Sequence, residues 1–243
     1  MFPDDPILGV RGDRIPGFEG ALYPLETGKG WAIVYNSSVS PGRKRFTVAH
    51  EFGHYLMHRT LMPRGFECDE ASVTFRDGAD LEAEADTFAA YLLMPFDDCR
   101  TQIPADAAPT LEALSQIAER YGVSLIAAAL RWLEYTERRS MLVIGREGYV
   151  LWSKSSASAL KTNRYFRTRG DVRPVPIPAA SLATRKDFAD IAREGVDQPA
   201  GTWFDEECIE YSVQSDRYDQ TITILHFSHH APSRFNSAAW RQG

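Results

Sequence analysis

The chain has 243 residues, of which 44% are hydrophobic and 25% charged, the composition of an ordinary soluble globular protein. This length allows one large domain or two smaller domains with a sizeable core. The net charge of −6 argues against a general nucleic-acid binder, whose surface would be basic, and no apolar run is long enough to span a bilayer.

The start of the chain and its cysteines predict a cytoplasmic protein. The first residues are neither basic nor followed by an apolar segment, so we expect no secretory signal. The cysteines are few, widely spaced and in no C-x-x-C pair, which favours a reducing compartment over a disulfide framework. They are Cys68, Cys99 and Cys208.

The first 45 residues lead up to the most informative helix. Residues 1–29 hold several Gly and Pro and are predicted to be irregular, whereas residues 30–36 are β-prone and predict a strand. Residues 37–45 form a polar segment with the turn signal Pro41-Gly42, and we interpret its basic cluster at residues 43–45 as solvated loop rather than a phosphate contact. We expect the strand at residues 30–36 to lie at the edge of a sheet, where it can bind an extended peptide through main-chain hydrogen bonds.

The helix that follows contains the motif His50-Glu51-x-x-His54. Residues four apart project from nearly the same face of a helix, so the two imidazoles can bind one metal ion. Glu51 is rotated about 100° from His50, which favours contact with water at the metal over direct coordination. This pattern predicts half of a zinc site with its general base. His58 lies one turn beyond, as a neighbour of the site rather than a ligand.

A second predicted helix, residues 81–94, supplies the missing carboxylate after a connection at residues 60–80. Glu82 lies at the edge of its apolar face, while Glu84 is rotated about 200° away and is predicted to point outward. Asp86 shares the side of Glu82. We therefore predict Glu82 as the third zinc ligand and Asp86 as a carboxylate that orients a ligand histidine. Pro95 ends the helix.

Two motifs in this order, RFTVAHEFGH at residues 45–54 and EAEADTFAAYLLMP at residues 82–95, resemble the ImmA/IrrE family of metallo-endopeptidases. The resemblance covers residues from about 30 to 140. It implies a His, His and Glu ligand set like that of gluzincins, and cleavage of helix-turn-helix repressors in stress or mobile-element responses. The family more often has Asn at the position of Asp86, and Asp still accepts a hydrogen bond there.

The predicted activity is hydrolysis of a peptide bond, with Zn²⁺ held by His50, His54 and Glu82 and with Glu51 as general base. No oxyanion-stabilising residue is identifiable, because Tyr55 and another tyrosine, Tyr91, are expected on the far sides of their helices. One alternative is a non-catalytic regulator that uses zinc only to hold its fold and binds a repressor without cleaving it. Another is a DNA-binding regulator using residues 111–139.

Downstream of an expected linker at residues 95–109, two helices are predicted within residues 110–136, joined by a Gly-containing turn with Ser124 as N-cap. Because acidic residues offset the arginines here, we favour packing or partner docking over DNA contact. The basic residues are Arg131, Arg138 and Arg139, and the acidic ones are Glu119, Glu134 and Glu137.

From residue 140 the pattern becomes β, with hairpins predicted at residues 141–152 and 207–227 and a weak helix at residues 181–194. We therefore predict an α+β protein with two domains. Residues 1–139 form a mainly helical, zincin-like peptidase domain, and residues 140–243 a small antiparallel α+β domain that the family resemblance makes GAF-like and sensory. For the three histidines near its end we favour an exposed chain end over a second metal site. They are His226, His229 and His230.

Overall fold

The computed structural model describes residues 4–14, 17–26, 29–61, 64–68, 76–168, 170, 173–185, 194–215 and 219–228. Within them, six α-helices and two β-sheets form a mixed α+β protein, which confirms the predicted class. The chain divides into two compact units. The first comprises Met1–Cys99 and Ile117–Ala127, and the second comprises Arg100–Gln116 and Ala128–Gly243. The division into domains at residue 139 and the likeness to zincin and GAF folds stay predictions.

The first unit contains a four-stranded sheet with the strand order β1-β3-β2-β4. Its strands are β1 (Ile7–Asp13), β2 (Gly20–Pro24), β3 (Trp31–Asn36) and β4 (Phe66–Cys68). β3 is parallel to β1 and antiparallel to β2, which in turn pairs with β4 in the antiparallel sense. Leu22 of β2 and Trp31 and Ile33 of β3 form the core of this unit with Tyr55.

Two expectations for this region are wrong. β3 is an inner strand, so residues 30–36 are not the edge that was expected to pair with substrate, and the edges are β1 and β4. Residues 1–29 are not irregular throughout, because β1 and β2 lie within them. β1 is mostly exposed and contains Gly9 and Gly12, so its sequence lacks the usual strand pattern and its pairing with β3 decides its conformation.

The motif helix α1 (Pro41–Met57) begins earlier than the expected polar loop allowed. The Ser40 hydroxyl accepts a hydrogen bond from the backbone N–H of Arg43 at 3.4 Å. Pro41 fits the first helical position because a backbone N–H there, which proline lacks, would have no acceptor within the helix. The basic cluster therefore lies in the first turns of α1. Arg43 pairs with Glu19, and Arg45 donates to the backbone oxygen of Gly122 at 2.9 Å.

The second ligand helix α2 (Arg76–Leu93) packs closely against α1. It ends before Pro95, as predicted, but begins earlier than residue 81. A Cβ atom at Gly53 of α1 would lie only 3.0 Å from Cδ1 of Phe88, so the glycine permits the close approach of the two helices. This approach brings side chains from both helices within reach of one metal ion.

The expected linker at residues 95–109 contains a short helix, α3 (Phe96–Gln102). The predicted helical pair is confirmed as α4 (Leu111–Tyr121) and α5 (Leu125–Tyr135). Gly122 takes a φ of 64° after α4, a conformation that glycine adopts without strain. The Ser124 hydroxyl accepts from the backbone N–H of Ala127 at 3.1 Å, the capping contact that the sequence predicted.

The second unit contains an antiparallel five-stranded sheet with the order β6-β5-β9-β8-β7. Its strands are β5 (Ser140–Arg146), β6 (Tyr149–Ser155), β7 (Val196–Gln198), β8 (Cys208–Ser215) and β9 (Gln220–Phe227). The predicted hairpins are β5-β6 and β8-β9. Glu147 and Gly148 join β5 to β6 with φ angles of 53° and 80°, as a two-residue hairpin turn requires.

Shorter elements complete this unit. They are the helix α6 (Ala157–Leu160) and a 3₁₀ turn at Leu182–Thr184. The 3₁₀ turn falls in the segment predicted as a weak helix, of which residues 186–193 lie outside the described residues. No helix among the described residues has the length and apolar character needed to cross a membrane.

Candidate metal centre

Three side chains from α1 and α2 converge on one point in the first unit. The Nε2 atoms of His50 and His54 lie 3.0 Å apart. Carboxylate oxygens of Glu82 lie 3.1 Å from Nε2 of His50 and 3.3 Å from Nε2 of His54. Ligands of a tetrahedral zinc ion lie about 3.3 Å from one another when the bonds have their usual length. Each of these three distances is close to the spacing that a tetrahedral ion requires, although the two histidines face different oxygens of the Glu82 carboxylate, Oε2 and Oε1.

The donor set also fits zinc chemically. Two imidazoles and one carboxylate are the ligands of many catalytic zinc sites, in which the fourth position stays open to water or substrate. In the part of the chain that the structure describes, this is the one group of three or more His, Cys, Asp or Glu side chains whose donor atoms all lie within 4.8 Å of one another. The structure thus brings together the three residues that the sequence predicted as ligands.

The carboxylates around the site favour a positive charge within it. Burial lowers the pKa of His50, but hydrogen bonds to Asp86 and Glu82 outweigh this effect and, with the charge of Glu51 added, the pKa rises to about 9. Burial raises the pKa of Glu82, yet its hydrogen bonds to the two histidines hold that pKa well below its usual range. Burial lowers the pKa of His54. The same carboxylates that favour the protonated form of His50 would also attract a metal cation bound at this site.

Asp86 lies behind the first ligand. Its Oδ1 atom is 2.9 Å from Nδ1 of His50, the ring nitrogen that faces away from the point of convergence. With Nε2 of His50 bound to a metal, Nδ1 carries the proton and donates it to Asp86. The contact is the one that the sequence predicted for Asp86, and it fixes both the tautomer and the orientation of the ring.

Glu51 is completely buried beside strand β2. A Cβ atom at Gly20 of β2 would lie 2.8 Å from Oε1 of Glu51 and 2.3 Å from Cγ2 of Thr47. Only a glycine leaves room for both side chains of α1 at this point of the strand. Glu51 is not among the converging donors, but its negative charge raises the pKa of His50, which is one of them.

Two further residues belong to the surroundings of the site. Nδ1 of His58 lies 3.0 Å from Nδ1 of His54, and Nε2 of His58 lies 3.0 Å from a carboxylate oxygen of Glu84. The spacing of four residues from His54 to His58 was a signal for the first contact. The outward direction predicted for Glu84 is confirmed by its 62% exposed side chain, but no pattern in the sequence indicated its contact with His58.

The other candidate residues lie elsewhere. The Tyr55 hydroxyl donates to the backbone oxygen of Asp5 at 3.2 Å, and the half-exposed Tyr91 packs edge-on against Phe96. Neither contact involves the converging donors.

The expectation of an exposed chain end is wrong for His226. Its ring is buried in the inner strand β9, where it packs edge-on against Trp132. Nδ1 of His226 lies 2.8 Å from the Ser140 hydroxyl, and Nε2 donates to the backbone oxygen of Pro109 at 2.9 Å. The other two histidines, His229 and His230, lie outside the described residues.

Comparison with known proteins identifies the family. The sequence profile of the IrrE N-terminal-like domain, a peptidase family, matches residues 10–133. No curated protein matches the chain. A solved structure described as "Mycobacterium tuberculosis transcriptional regulator" aligns with a TM-score of 0.51 and 14% identity, over 90% of this chain and 66% of that chain. At this identity the likeness shows a shared fold alone. Since the family profile covers half of the sequence, the protein belongs to the ImmA/IrrE family.

Proposed function

We propose that this protein is a zinc-dependent endopeptidase that cleaves a helix-turn-helix transcriptional repressor. The observation that supports hydrolysis is the convergence of His50, His54 and Glu82. Their two Nε2 atoms lie 3.0 Å apart, and each lies within 3.3 Å of one of the two Glu82 carboxylate oxygens. Glu51, the proposed general base, follows directly after the first proposed ligand in the same helix, and its charge acts on that histidine. Membership of a peptidase family supports the same activity.

In this reaction Glu51, Gly20 and Asp86 would each have a separate role. When bound, zinc supplies a Lewis acid that polarises the scissile carbonyl and lowers the pKa of water. Glu51 takes the proton of the attacking water and later delivers it to the leaving amine. Gly20 allows Glu51 to lie against β2, which holds its carboxylate in a protein environment rather than in bulk water. Asp86 keeps the Nε2 atom of His50 free for the metal by accepting from its Nδ1.

We propose a helix-turn-helix repressor as the substrate. Its support is the ImmA/IrrE family and the shared fold with a protein described as a transcriptional regulator. We further propose that the chain does not bind DNA itself. Arg131 and Arg139, two of the three arginines that a DNA contact would use, are buried and pair with Glu134 and Glu206. Among the cysteines whose side chains the structure describes, Cys99 and Cys208 are buried and not joined in a disulfide, which supports a cytoplasmic location.

The proposal is tested with Glu51→Gln, which keeps the size of the side chain but removes the base. The parent protein, loaded with zinc, is incubated with purified helix-turn-helix repressors of its own organism, and the fragments are identified by gel and mass spectrometry. We expect the variant to retain zinc and to cleave at least about 100-fold more slowly. Glu112→Gln, an exposed position on α4, is the matched control and should cleave at the parental rate. Equal cleavage by Glu51→Gln and the parent would refute the assignment of the base.

A second candidate is a non-catalytic regulator, in which the same zinc ion holds the fold and the repressor is bound without being cleaved. The observation that favours it is the fold shared with a protein described as a transcriptional regulator. The two candidates differ in what happens to the repressor. An intact repressor that stays bound to the zinc-loaded parent protein would support the regulator, whereas defined fragments that disappear in Glu51→Gln would support the peptidase.

A further inference from the structure

We propose that His58 and Glu84 position the metal ligand His54 through a chain of hydrogen bonds. The inference rests on the proposed metal site and adds two residues to it. His54 and His58 lie one turn apart on α1, with their Nδ1 atoms 3.0 Å from each other. The opposite ring nitrogen of His58 lies 3.0 Å from Glu84 on α2. The chain thus runs from a metal ligand in one helix to a carboxylate in the other.

Proton positions along the chain follow from the metal. When Nε2 of His54 binds the ion, its proton must be on Nδ1, which then donates to Nδ1 of His58. Because Nδ1 of His58 accepts this hydrogen bond, the proton of His58 is on Nε2, which donates a hydrogen bond to the Glu84 carboxylate. Each N–H therefore has an acceptor, and one tautomer of each ring satisfies the whole chain.

Because the rings of His54 and His58 are buried, their hydrogen bonds to each other decide the orientation of His54. His54 and His58 are both almost completely inaccessible, at 0% and 2% exposure. Water cannot readily replace a partner that is lost there, so the His54 ring without an acceptor would lose its preferred tautomer and rotamer. Glu84 is largely exposed, and water can substitute for it in part. We therefore assign the stronger effect to His58 and the weaker one to Glu84.

The two ligand histidines would then be oriented in different ways. His50 donates directly to a carboxylate, Asp86, at 2.9 Å. His54 reaches its carboxylate, Glu84, only through a second imidazole. His58 is not itself a ligand in this arrangement, because it lies outside the converging group of donors and its two ring nitrogens contact His54 and Glu84.

The test compares His58→Asn with His58→Gln. The amide oxygen of Asn takes the place of Nδ1 and can still accept from His54, whereas the Gln amide reaches only the place of Nε2. Zn²⁺ affinity is measured by competition with a chromophoric chelator, and the absorption spectrum of the Co²⁺-loaded protein reports ligand geometry. We expect His58→Gln to bind Zn²⁺ about 10–100-fold more weakly, with an altered Co²⁺ spectrum, and His58→Asn to recover most of the affinity.

Glu84→Leu tests the last member of the hydrogen-bond chain. We expect a smaller loss of Zn²⁺ affinity than in His58→Gln, and recovery in Glu84→Gln, whose amide oxygen still accepts. Thr87→Leu, another exposed position on α2, is the control for the leucine and should bind Zn²⁺ as the parent does. Thermal unfolding of the metal-free variants shows whether each remains folded, and Glu84→Leu carries the test should a His58 variant not fold.

The outcomes separate this inference from the proposed function. Parental Zn²⁺ affinity in both His58→Gln and Glu84→Leu would overturn the inference, as would a folded His58→Asn that binds as weakly as His58→Gln. A parent protein that binds no Zn²⁺ would overturn both proposals. If the parent binds Zn²⁺ and the variants behave as expected but no protein is cleaved, the positioning chain stands and the peptidase proposal fails.

Discussion

The contact of strand β2 with the motif helix makes Gly20→Ala a sharp perturbation of the proposed general base. The added methyl group would lie 2.3 Å from Cγ2 of Thr47 and 2.8 Å from Oε1 of Glu51. Ordinary van der Waals contact begins at 3.4 Å, so Thr47 must retreat by about 1.1 Å and Glu51 by about 0.6 Å. Both side chains are buried, and neither can rotate into solvent without leaving the core.

This displacement predicts two separate effects. Overpacking of a buried contact typically lowers the free energy of unfolding by about 1–3 kcal/mol. A shift of about 1 Å in a catalytic group can cost about 100-fold in rate, so a shift of about 0.6 Å is expected to lower kcat/KM by roughly 10-fold or more. The three atoms nearest to the new methyl group belong to Thr47 and Glu51 and not to a proposed zinc ligand, so zinc affinity should change little.

The assay measures urea unfolding, zinc affinity and cleavage of the repressor in parallel. Gly9→Ala is the matched control, because Gly9 lies in the same sheet and a Cβ atom there has nothing within 4 Å. Adding Thr47→Ser to Gly20→Ala removes the closer contact, so the double variant should regain much of the stability but little of the activity. Parental stability and parental kcat/KM in Gly20→Ala would refute the argument that Gly20 makes room for Glu51.

Two predictions concern the second unit. Burial lowers the pKa of His226 to about 4, whereas the value in the unfolded chain is about 6.5. Between these two pH values the unfolded state binds a proton that the folded state does not. The free energy of unfolding should therefore fall as the pH falls from 6.5 to 4, by up to about 3 kcal/mol. Urea unfolding of the parent and of His226→Gln at both ends of this range should show a weaker pH dependence in the variant; an equal dependence would contradict the prediction. The two carboxylate oxygens of Glu206 lie 2.9 and 2.6 Å from guanidinium nitrogens of the buried Arg139. Glu206→Leu removes this bidentate partner and should lower the free energy of unfolding by about 3–5 kcal/mol. The exposed pair of Arg43 and Glu19 is the control, and Glu19→Ala should cost less than about 1 kcal/mol in the same unfolding experiment; similar costs at the two sites would show that burial does not decide the difference.

The sequence predicted the ligand cluster well because each part has a periodic or local signal. The spacing of four residues places His50 and His54 on one face of any helix, and the apolar stripe of α2 locates Glu82 at its edge. The helix-pair turn at Gly122 and the hairpin turn at Gly148 are also local, since each position takes a positive φ. Such features depend on neighbouring residues alone, and the structure retains them.

The failures involve pairing between distant segments. β1 has two glycines and exposed side chains, and only its register with β3, from Ile7 opposite Trp31 to Asp13 opposite Asn36, makes it a strand. For the same reason no local pattern could show that β3 is an inner strand. The polar tail after His226 predicts an exposed end, whereas Trp132, Tyr211 and the backbone of Pro109, all distant in sequence or in another element, pack against its ring and bury it.

Glu84 shows most clearly where a helical projection stops being sufficient. The period of 3.6 residues correctly turns Glu84 away from Glu82, and this rotation excluded it from the ligand set. Whether an outward carboxylate meets a side chain of the next helix depends on the separation and relative shift of the two helices. Gly53 permits the close approach of α2 to α1, and at this separation the exposed Glu84 reaches the buried Nε2 of His58. The positioning chain therefore arises from packing between helices, which the residue pattern of either helix alone does not contain.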